Sequence, residues 1–208
     1  MIALAALIVA FPFVEKLQTG NFIISILFTV VLISGVLAVQ ERRSVLIIAA
    51  ILALPTLACR WLHQYRPDIV PAELFLVGAI AFILFVVVRL LRFILTASSV
   101  TADVLMTAVS AYLMLGLLWA MAYWFVAEVT PNAFSFNVSV AGDTSMKGFN
   151  SLYFSFVTLS TVGYGDITPA ASSVRMLAAA EAIIGLLYVG VLIARLVAIH
   201  STSKPNVT

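Results

Sequence analysis

Residues 158–166 read TLSTVGYGD, and this stretch decides how the chain around it is interpreted. The apolar segment that leads into it, Phe149–Leu159, has about eleven residues, whereas a bilayer span needs ~20. Extended backbone at membrane depth is tolerated only when it is buried in protein or lines a water-filled path. The sequence therefore predicts a re-entrant element, with a short helix over residues 150–160 followed by extended backbone over residues 161–166.

The composition of the whole chain is that of a membrane protein. Of its 208 residues 63% are hydrophobic and 10% are charged, and the mean hydropathy is +1.18; soluble domains are ~45–50% apolar and ~25% charged. About six spans of ~20 residues leave no room for a soluble catalytic domain. We therefore expect an all-α membrane protein that is not an enzyme and has no cofactor. The net charge of +2 argues against a nucleic-acid partner. The single cysteine, Cys59, excludes an internal disulfide.

Apolar stretches predict six transmembrane helices and two membrane domains. The predicted spans are residues 1–14, 22–39, 45–59, 72–95, 103–128 and 174–199. The first span is short, because at 1.5 Å per residue it reaches only ~20 Å. We expect Pro55 to kink the third span. The predicted domains are a four-helix N-terminal domain (1–100) and a second domain (101–200) that contains the re-entrant element, followed by a cytoplasmic tail (201–208).

Basic residues weakly favour a cytoplasmic N-terminus under the positive-inside rule. In that orientation the cytoplasmic basic residues are Arg42, Arg43, Arg89, Arg92, Arg195 and Lys204, and the external ones are Lys16, Arg60, Arg66, Lys147 and Arg175. His63 is expected in a loop and His200 in the tail.

Two features resemble those of a known family. Thr161–Asp166 matches the selectivity-filter signature of potassium channels letter for letter, and the layout of outer helix (103–128), pore helix (150–160), filter (161–166) and inner helix (174–199) is similar to that of their pore domain. The first four helices resemble the sensor domain of voltage-gated-like channels in number but not in charge. The chain is thus similar to prokaryotic six-transmembrane channels without an evident voltage-sensing arginine array.

This resemblance implies a function and partners. It implies passive conduction of K⁺, the permeant ion, through a homotetramer that surrounds a central pore and contacts membrane lipids. The implied location is a cell membrane, as a multi-pass protein, in the inner membrane of a bacterium or archaeon.

The filter residues are interpreted from backbone chemistry as well. Carbonyl oxygens of Thr161, Val162, Gly163 and Tyr164, with the Thr161 hydroxyl, would replace the water around a dehydrated cation. Gly163 and Gly165 can take a positive φ, which lets successive carbonyls face one axis. One chain supplies one quarter of such a ring, so we expect four chains to assemble.

Side chains around the filter are expected to support it. Tyr153 and Phe154 occupy positions where the family usually has a pair of tryptophans that brace the filter. The Tyr153 hydroxyl could reach Asp166 behind the filter, whereas Phe154 cannot donate a hydrogen bond. The resemblance therefore does not determine how rigid the filter is or how it inactivates. Thr158 is a further candidate for filter support.

Three residues of the predicted inner helix are candidates for support or gating. Glu181 is an ionisable residue inside a span, where such groups face protein or water. It could hold the filter from behind or pair with Arg175. Gly185 and Gly190 are candidate gating hinges, and small-residue helix packing is an equal alternative for each.

Arg89 and Arg92 are candidate voltage-sensor charges on the fourth predicted helix. Their spacing of three is the family's gating pattern, but they lie at the cytoplasmic end of the helix, where arginine side chains can snorkel. The second and third spans contain no acidic residue to carry them across. We therefore expect little voltage dependence. Filter gating, lipid, pH, voltage and constitutive opening all stay open as the stimulus.

Two other functions are alternatives to a channel. A non-conducting accessory or sensor subunit could retain the same fold. Potassium transporters related to these channels carry four pore loops in one chain with single-glycine filters, whereas this chain has one loop with both glycines.

Overall fold

The structure is a computed structural model that describes residues 2–14, 17, 19–38, 43–66, 68–137 and 144–202. The described residues form apolar helices joined by short connections, because a chain surrounded by lipid must pair its backbone polar groups internally. The elements in chain order are α1 (Ile2–Val14), α2 (Gly20–Ala38), α3 (Arg43–Tyr65), α4 (Ala72–Thr96), α5 (Ala102–Val129), β1 (Phe134–Phe136), α6 (Phe149–Leu159), β2 (Ile167–Pro169) and α7 (Ser172–Thr202).

Four of the helices formed by the described residues are long and apolar enough to cross a membrane. They are α3, α4, α5 and the Ser172–Ala198 part of α7. The apolar helices over Ile2–Val14 and Gly20–Val36 are shorter. The prediction of a helical, multi-pass membrane protein is therefore confirmed, and the full number of six spans stays a prediction.

The third helix is longer than its apolar core predicts. The sequence interpretation ended it at Cys59, but α3 continues to Tyr65, so that Arg60 and His63 lie in its last turns rather than in a loop. Hydropathy missed this extension because a charged or polar residue makes a segment less apolar without interrupting its helix, and arginine is itself a good helix former. The helix stops just before a proline, which disfavours helical backbone in the residue that precedes it.

The last helix also extends beyond its predicted end. It reaches Thr202, so His200 lies in α7 and not in a tail, and the predicted tail residues 203–208 lie outside the described residues. The predicted cytoplasmic residue Arg42 lies outside them as well.

Helix α4 packs against α5, and their buried side chains belong to one core. Phe82 and Ile83 of α4 share a hydrophobic cluster with Leu117 and Ala120 of α5. The connection between the two helices is only residues 97–101, which forces them to be neighbours. The first four helices therefore pack on the second half of the same chain.

The cytoplasmic end predicted for α7 is tied to the end of α4. Arg195 Nη2 donates hydrogen bonds of 3.1 Å to the carbonyl oxygens of Leu95 and Ala97. Carbonyls in the last turn of a helix have no partner within it, and a cation there also complements the helix dipole. This contact joins the inner helix to the α4–α5 connection.

Two short strands, which the sequence interpretation did not predict, fix the chain that follows residues 161–166. β1 and β2 pair antiparallel, with Phe136 opposite Ile167. The pairing continues through a 2.8 Å hydrogen bond from Asn137 N to Asp166 O. The segment that leaves the predicted filter is thus held against the segment that leaves α5.

Candidate functional site

The candidate site begins at the C-terminal end of α6, where the helix passes into extended backbone. The amide of Thr161 donates to the Thr158 carbonyl at 2.9 Å. The amides of Val162 and Gly163 both donate to the Val157 carbonyl, at 3.0 and 3.3 Å. These bonds fix the direction in which residues 161–165 leave the helix, which carries a partial negative charge at this end.

The backbone of the extended segment alternates in handedness. The φ angles of Thr161, Gly163 and Gly165 are positive, at 60°, 57° and 78°, and those of Val162 and Tyr164 between them are not. Alternation between left- and right-handed conformations turns successive amides to one side and successive carbonyls to the other. The positive φ predicted for the two glycines is confirmed. No local signal predicts the positive φ of Thr161, since a β-branched residue rarely adopts such a conformation.

This segment is exposed within a single chain. The exposed fractions of Val162 and Tyr164 are 53% and 71%, and Thr161, Gly163 and Gly165 are exposed too. Among the described residues no cluster of three or more His, Cys, Asp or Glu side chains could hold a metal. A cation at this site would therefore meet main-chain oxygens, and the backbone needs protein or water around it that one chain does not provide.

Behind the segment, Tyr153 of α6 contacts the residues at its end. The Tyr153 hydroxyl donates to Asp166 Oδ2 at 2.8 Å, and its ring stacks on that of Tyr164 with the ring planes 5° apart. Burial and the hydrogen bond to Asp166 raise the pKa of Tyr153 to about 12. The phenol is therefore a protonated donor at any ordinary pH. Asp166 Oδ1 also accepts from the amide of Ile167 at 3.0 Å.

Phe154 serves packing rather than hydrogen bonding. Its buried ring lies edge-on to the rings of Tyr123 and Phe134, with centroids 4.9 and 5.4 Å away. These three rings join α5, β1 and α6, and such edge-to-face pairs add to the stabilisation gained by burial.

Glu181 of α7 lies at the centre of a buried polar cluster. Its carboxylate accepts from the Tyr123 hydroxyl at 2.5 Å and from Ser155 Oγ at 2.6 Å, and Glu181 is 0% exposed. Ser155 Oγ is also 2.8 Å from the carbonyl oxygen of Gly116. The cluster joins α5, α6 and α7 beside the candidate site.

The predicted alternative pairing of Glu181 with Arg175 is wrong. Arg175 is exposed, and its Nε donates to the carbonyl oxygen of Pro169 at 3.2 Å. The hydroxyls of Tyr123 and Ser155 were not among the predicted partners, because they lie 58 and 26 residues away in sequence and only the fold brings them to Glu181.

The two candidate hinge glycines have different surroundings. A Cβ at Gly185 would clash with the carbonyl oxygen of Leu159, whereas a Cβ at Gly190 would meet nothing within 4 Å. Close packing between α7 and the end of α6 therefore explains why residue 185 is a glycine. Hinge roles for both residues stay predictions.

Arg89 and Arg92 lie in the last third of α4, half-buried and exposed respectively. The described helices α2 and α3 contain no acidic residue that could face them. A voltage-sensing role for these arginines stays a prediction.

Comparisons with known proteins find matches to the second half of the chain. Residues 104–201 match the family model described as "Ion channel". The chain is 41% identical over 56 residues to "Two-pore potassium channel 1" of Arabidopsis thaliana, and the match covers 27% of this chain and 15% of that protein. It is 38% identical over 87 residues to "Two pore potassium channel c" of Oryza sativa subsp. japonica, covering 42% of this chain and 18% of that protein. No solved structure matches the chain.

These matches have limits in length and source. The chain spans less than a fifth of the length of these curated relatives. The relatives come from plants, so the bacterial or archaeal origin expected from the sequence stays a prediction.

Proposed function

Through residues 104–201 this chain belongs to the potassium channel family, and we propose from this premise that it conducts K⁺ passively and selectively across a membrane. The backbone of residues 161–165 is the observation that carries the proposal. Its φ angles alternate in sign, a pattern that allows successive carbonyls to face one side, and the sequence of the segment matches the filter signature. Rings of backbone carbonyls that replace the hydration shell of K⁺ are the known basis of selectivity in such channels.

In this proposal K⁺ binds to the oxygens of Thr161, Val162, Gly163 and Tyr164, and Gly165 completes the filter. Tyr153, Asp166, Thr158 and Glu181 support it. The hydrogen bond between Tyr153 and Asp166, together with the β1–β2 pairing, supports a filter whose outer end is fixed to the pore helix.

The working unit in this proposal is a homotetramer. One chain leaves the filter backbone exposed and supplies one quarter of a closed ring. Only 11% of the most apolar part of α7 is buried within the chain, compared with 50% of the corresponding part of α5. A helix with so little packing is consistent with contacts to further copies and to a central pore.

The first four helices complete a six-span membrane protein in this proposal. They pack on the pore domain of their own chain and contact lipids. The membrane assigned to them is the inner membrane of a bacterium or archaeon.

Potassium flux into vesicles that contain only this chain tests the proposal. We expect uptake driven by a K⁺ gradient, with Na⁺ excluded, and a tetrameric mass by native mass spectrometry. A Gly163→Ala variant is the matched control, because a side chain is strained at its φ of 57° although the site has free space for a Cβ. This variant should assemble but lose selective flux.

Each competing function predicts a different result. A chain that assembles but conducts no ion would be an accessory subunit, and flux that requires a second driving ion would indicate a transporter. Equal permeation of Na⁺ and K⁺ would contradict the proposed selectivity.

A further inference from the structure

A cavity of about 310 Å³ lies between the first five helices and the turn that precedes α6. All of the helices around it belong to one chain, so its lining does not depend on assembly. A volume near 300 Å³ is at the lower end of the range found for small-molecule sites. The cavity is separate from the candidate filter, since residues 161–166 do not line it.

Arg60 is a buried cation at the wall of this cavity. Its exposed fraction is 8%, and its guanidinium carbon lies 5.2 Å from the centroid of the Phe75 ring. Within the part of the chain that the structure describes, no side-chain hydrogen bond or ion pair to the Arg60 guanidinium accompanies this contact. A buried charge is costly unless it is paired, and a cation–π contact compensates only part of that cost.

The other polar groups at the cavity do not neutralise Arg60. Lys147 is paired with Glu128 at 3.1 Å, and His63 Nδ1 is bonded to the Val70 carbonyl oxygen at 2.7 Å. No aspartate or glutamate is among the described residues that line the cavity. Among the described residues that line the cavity, Arg60 is therefore the cation that has no anionic partner.

Apart from the polar side chains of Asn21 and Gln64, the remaining lining is apolar. Much of the wall is formed by Phe11, Phe28, Met121 and Trp124. Gly148, at the start of the proposed pore helix, also lines the cavity. Arg60 itself lies five residues before the end of α3. An apolar cavity with one buried cation near the membrane edge matches an amphiphile with an anionic head.

We propose that this cavity binds a phosphate group, which the membrane supplies as the headgroup of an anionic phospholipid, with Arg60 as its counter-ion. Guanidinium presents donors in a planar fork that fits two phosphate oxygens, and it keeps its charge when buried. The headgroup occupies the cavity, and the acyl chains, whose volume exceeds that of the cavity, extend from it into the surrounding bilayer. The bound lipid would join the N-terminal helices to the turn before the pore helix.

Native mass spectrometry of the purified full-length protein tests this inference with defined lipids. The chain is exchanged into nanodiscs of phosphatidylcholine alone or with phosphatidylglycerol, and retained lipid is counted for wild type, Arg60→Gln and Arg60→Lys. We expect wild type to retain phosphatidylglycerol preferentially and Arg60→Gln to retain it roughly tenfold or more weakly. Arg60→Lys should keep an intermediate preference, because it keeps the charge and loses the fork.

Arg66→Gln is the matched control, since Arg66 is exposed and just beyond the same helix. It should retain phosphatidylglycerol as wild type does. A third arm adds inorganic phosphate to phosphatidylcholine nanodiscs and measures thermal stability. An Arg60-dependent increase in this arm, with no preference for phosphatidylglycerol, would support the phosphate site and assign it to free phosphate.

Three results would overturn the inference. They are equal retention of the two lipids by wild type with no effect of phosphate, unchanged lipid retention in Arg60→Gln, and equal losses in Arg60→Gln and Arg66→Gln. The wild-type comparison holds even if Arg60→Gln does not fold. Flux measurements are separate, so a failure of lipid binding is distinguishable from a failure of conduction.

Discussion

At the scale of single residues, the buried cluster around Glu181 joins three helices beside the proposed filter. A carboxylate oxygen inside a membrane protein requires donors, and Tyr123 and Ser155 supply one each. Removing one donor leaves a buried acceptor unsatisfied. The cluster therefore holds the pore helix against both neighbouring helices.

We expect Tyr123→Phe to lower the stability of the folded protein by about 1–3 kcal/mol, the range for leaving a buried hydrogen-bond acceptor unsatisfied. The ring contacts of residue 123 are kept, so the loss reports the hydroxyl. Tyr65→Phe is the control, because Tyr65 is 69% exposed and should change stability by less than ~0.5 kcal/mol. Thermal unfolding in detergent measures both. Equal losses in the two variants would mean that the cluster contributes no special stability.

Tyr153 offers a second test at this scale. Tyr153→Phe removes the hydroxyl that donates to Asp166 Oδ2. We therefore expect this variant to speed the decay of K⁺ current under maintained conduction. Tyr188→Phe removes a comparable hydrogen bond, to the Ala108 carbonyl at 2.6 Å, away from the filter and should leave the decay unchanged. Current recordings from planar bilayers compare the two. A decay rate equal to wild type in Tyr153→Phe would remove Tyr153 from filter support.

The pH dependence of the Tyr153 contact follows from its raised pKa. A group whose folded pKa lies above its ordinary value stabilises the fold fully below that ordinary value and loses the contribution as the pH rises through the folded pKa. For Tyr153 this window runs from about 10 to about 12. Titration of Tyr153 should therefore cause no change in current decay between pH 6 and pH 9.

At the scale of secondary-structure elements, α7 can cross close to the end of α6 because residue 185 is a glycine and has no Cβ. The Leu159 carbonyl occupies the space where a Cβ of residue 185 would lie. Gly185→Ala should therefore separate the two helices and lower stability by ~1–3 kcal/mol, the range for overpacking. Gly190→Ala has open space and should stabilise α7 by up to ~1 kcal/mol.

Unfolding and single-channel recordings of the two glycine variants separate packing from hinge bending. A packing role predicts a loss of stability in Gly185→Ala alone. A hinge role for Gly190 predicts a changed open probability in Gly190→Ala without any loss of stability. Equal stability in both variants would contradict the close approach of α7 to α6.

Helix α4 allows a test of voltage sensing. One charge that crosses the whole field contributes ~2.3 kcal/mol per 100 mV, so eight arginines in a tetramer supply at most ~18 kcal/mol. Arg89 and Arg92 lie near the end of α4. The described helices α2 and α3 contain no acidic residue that could pair with them. We therefore expect a shallow conductance–voltage curve. The double variant Arg89→Gln/Arg92→Gln should leave this curve unchanged. A steep curve that the double variant abolishes would contradict this expectation.

The elements that could be predicted from the sequence are those with a local signal. Apolar runs predicted α4, α5 and α6 to within one residue at each end. Strands β1 and β2 were missed because two three-residue strands more than thirty residues apart have no periodic pattern. Likewise the positive φ of Gly163 could be predicted because glycine has no Cβ, whereas that of Thr161 accompanies the hydrogen bonds of the following amides to Val157.

At the scale of the whole molecule, the predicted boundary at residues 100 and 101 does not coincide with a boundary in packing. Buried residues on both sides of it belong to the same hydrophobic cluster, among them Phe75 of α4 and Met121 of α5. The Phe75 ring also contacts the Trp124 ring of α5 edge-on, with centroids 5.6 Å apart. The N-terminal helices therefore share a core with the domain that we propose to form the pore.

This shared core predicts that ion selectivity and stability can be separated by truncation. A chain of residues 101–208 keeps α5, α6, the filter segment and α7, and its contacts at Asp166 and Glu181 lie within that range. It should keep the K⁺ preference of the full chain. It also exposes the α5 face that packs on α4, so its tetramers should unfold at a lower temperature and aggregate more readily. Matched flux and unfolding measurements on the two chains check both expectations. If the truncated chain were as stable as the full one, the packing of α4 on α5 would contribute little to stability. If the truncated chain were stable but unselective, the N-terminal helices would be needed to shape the filter.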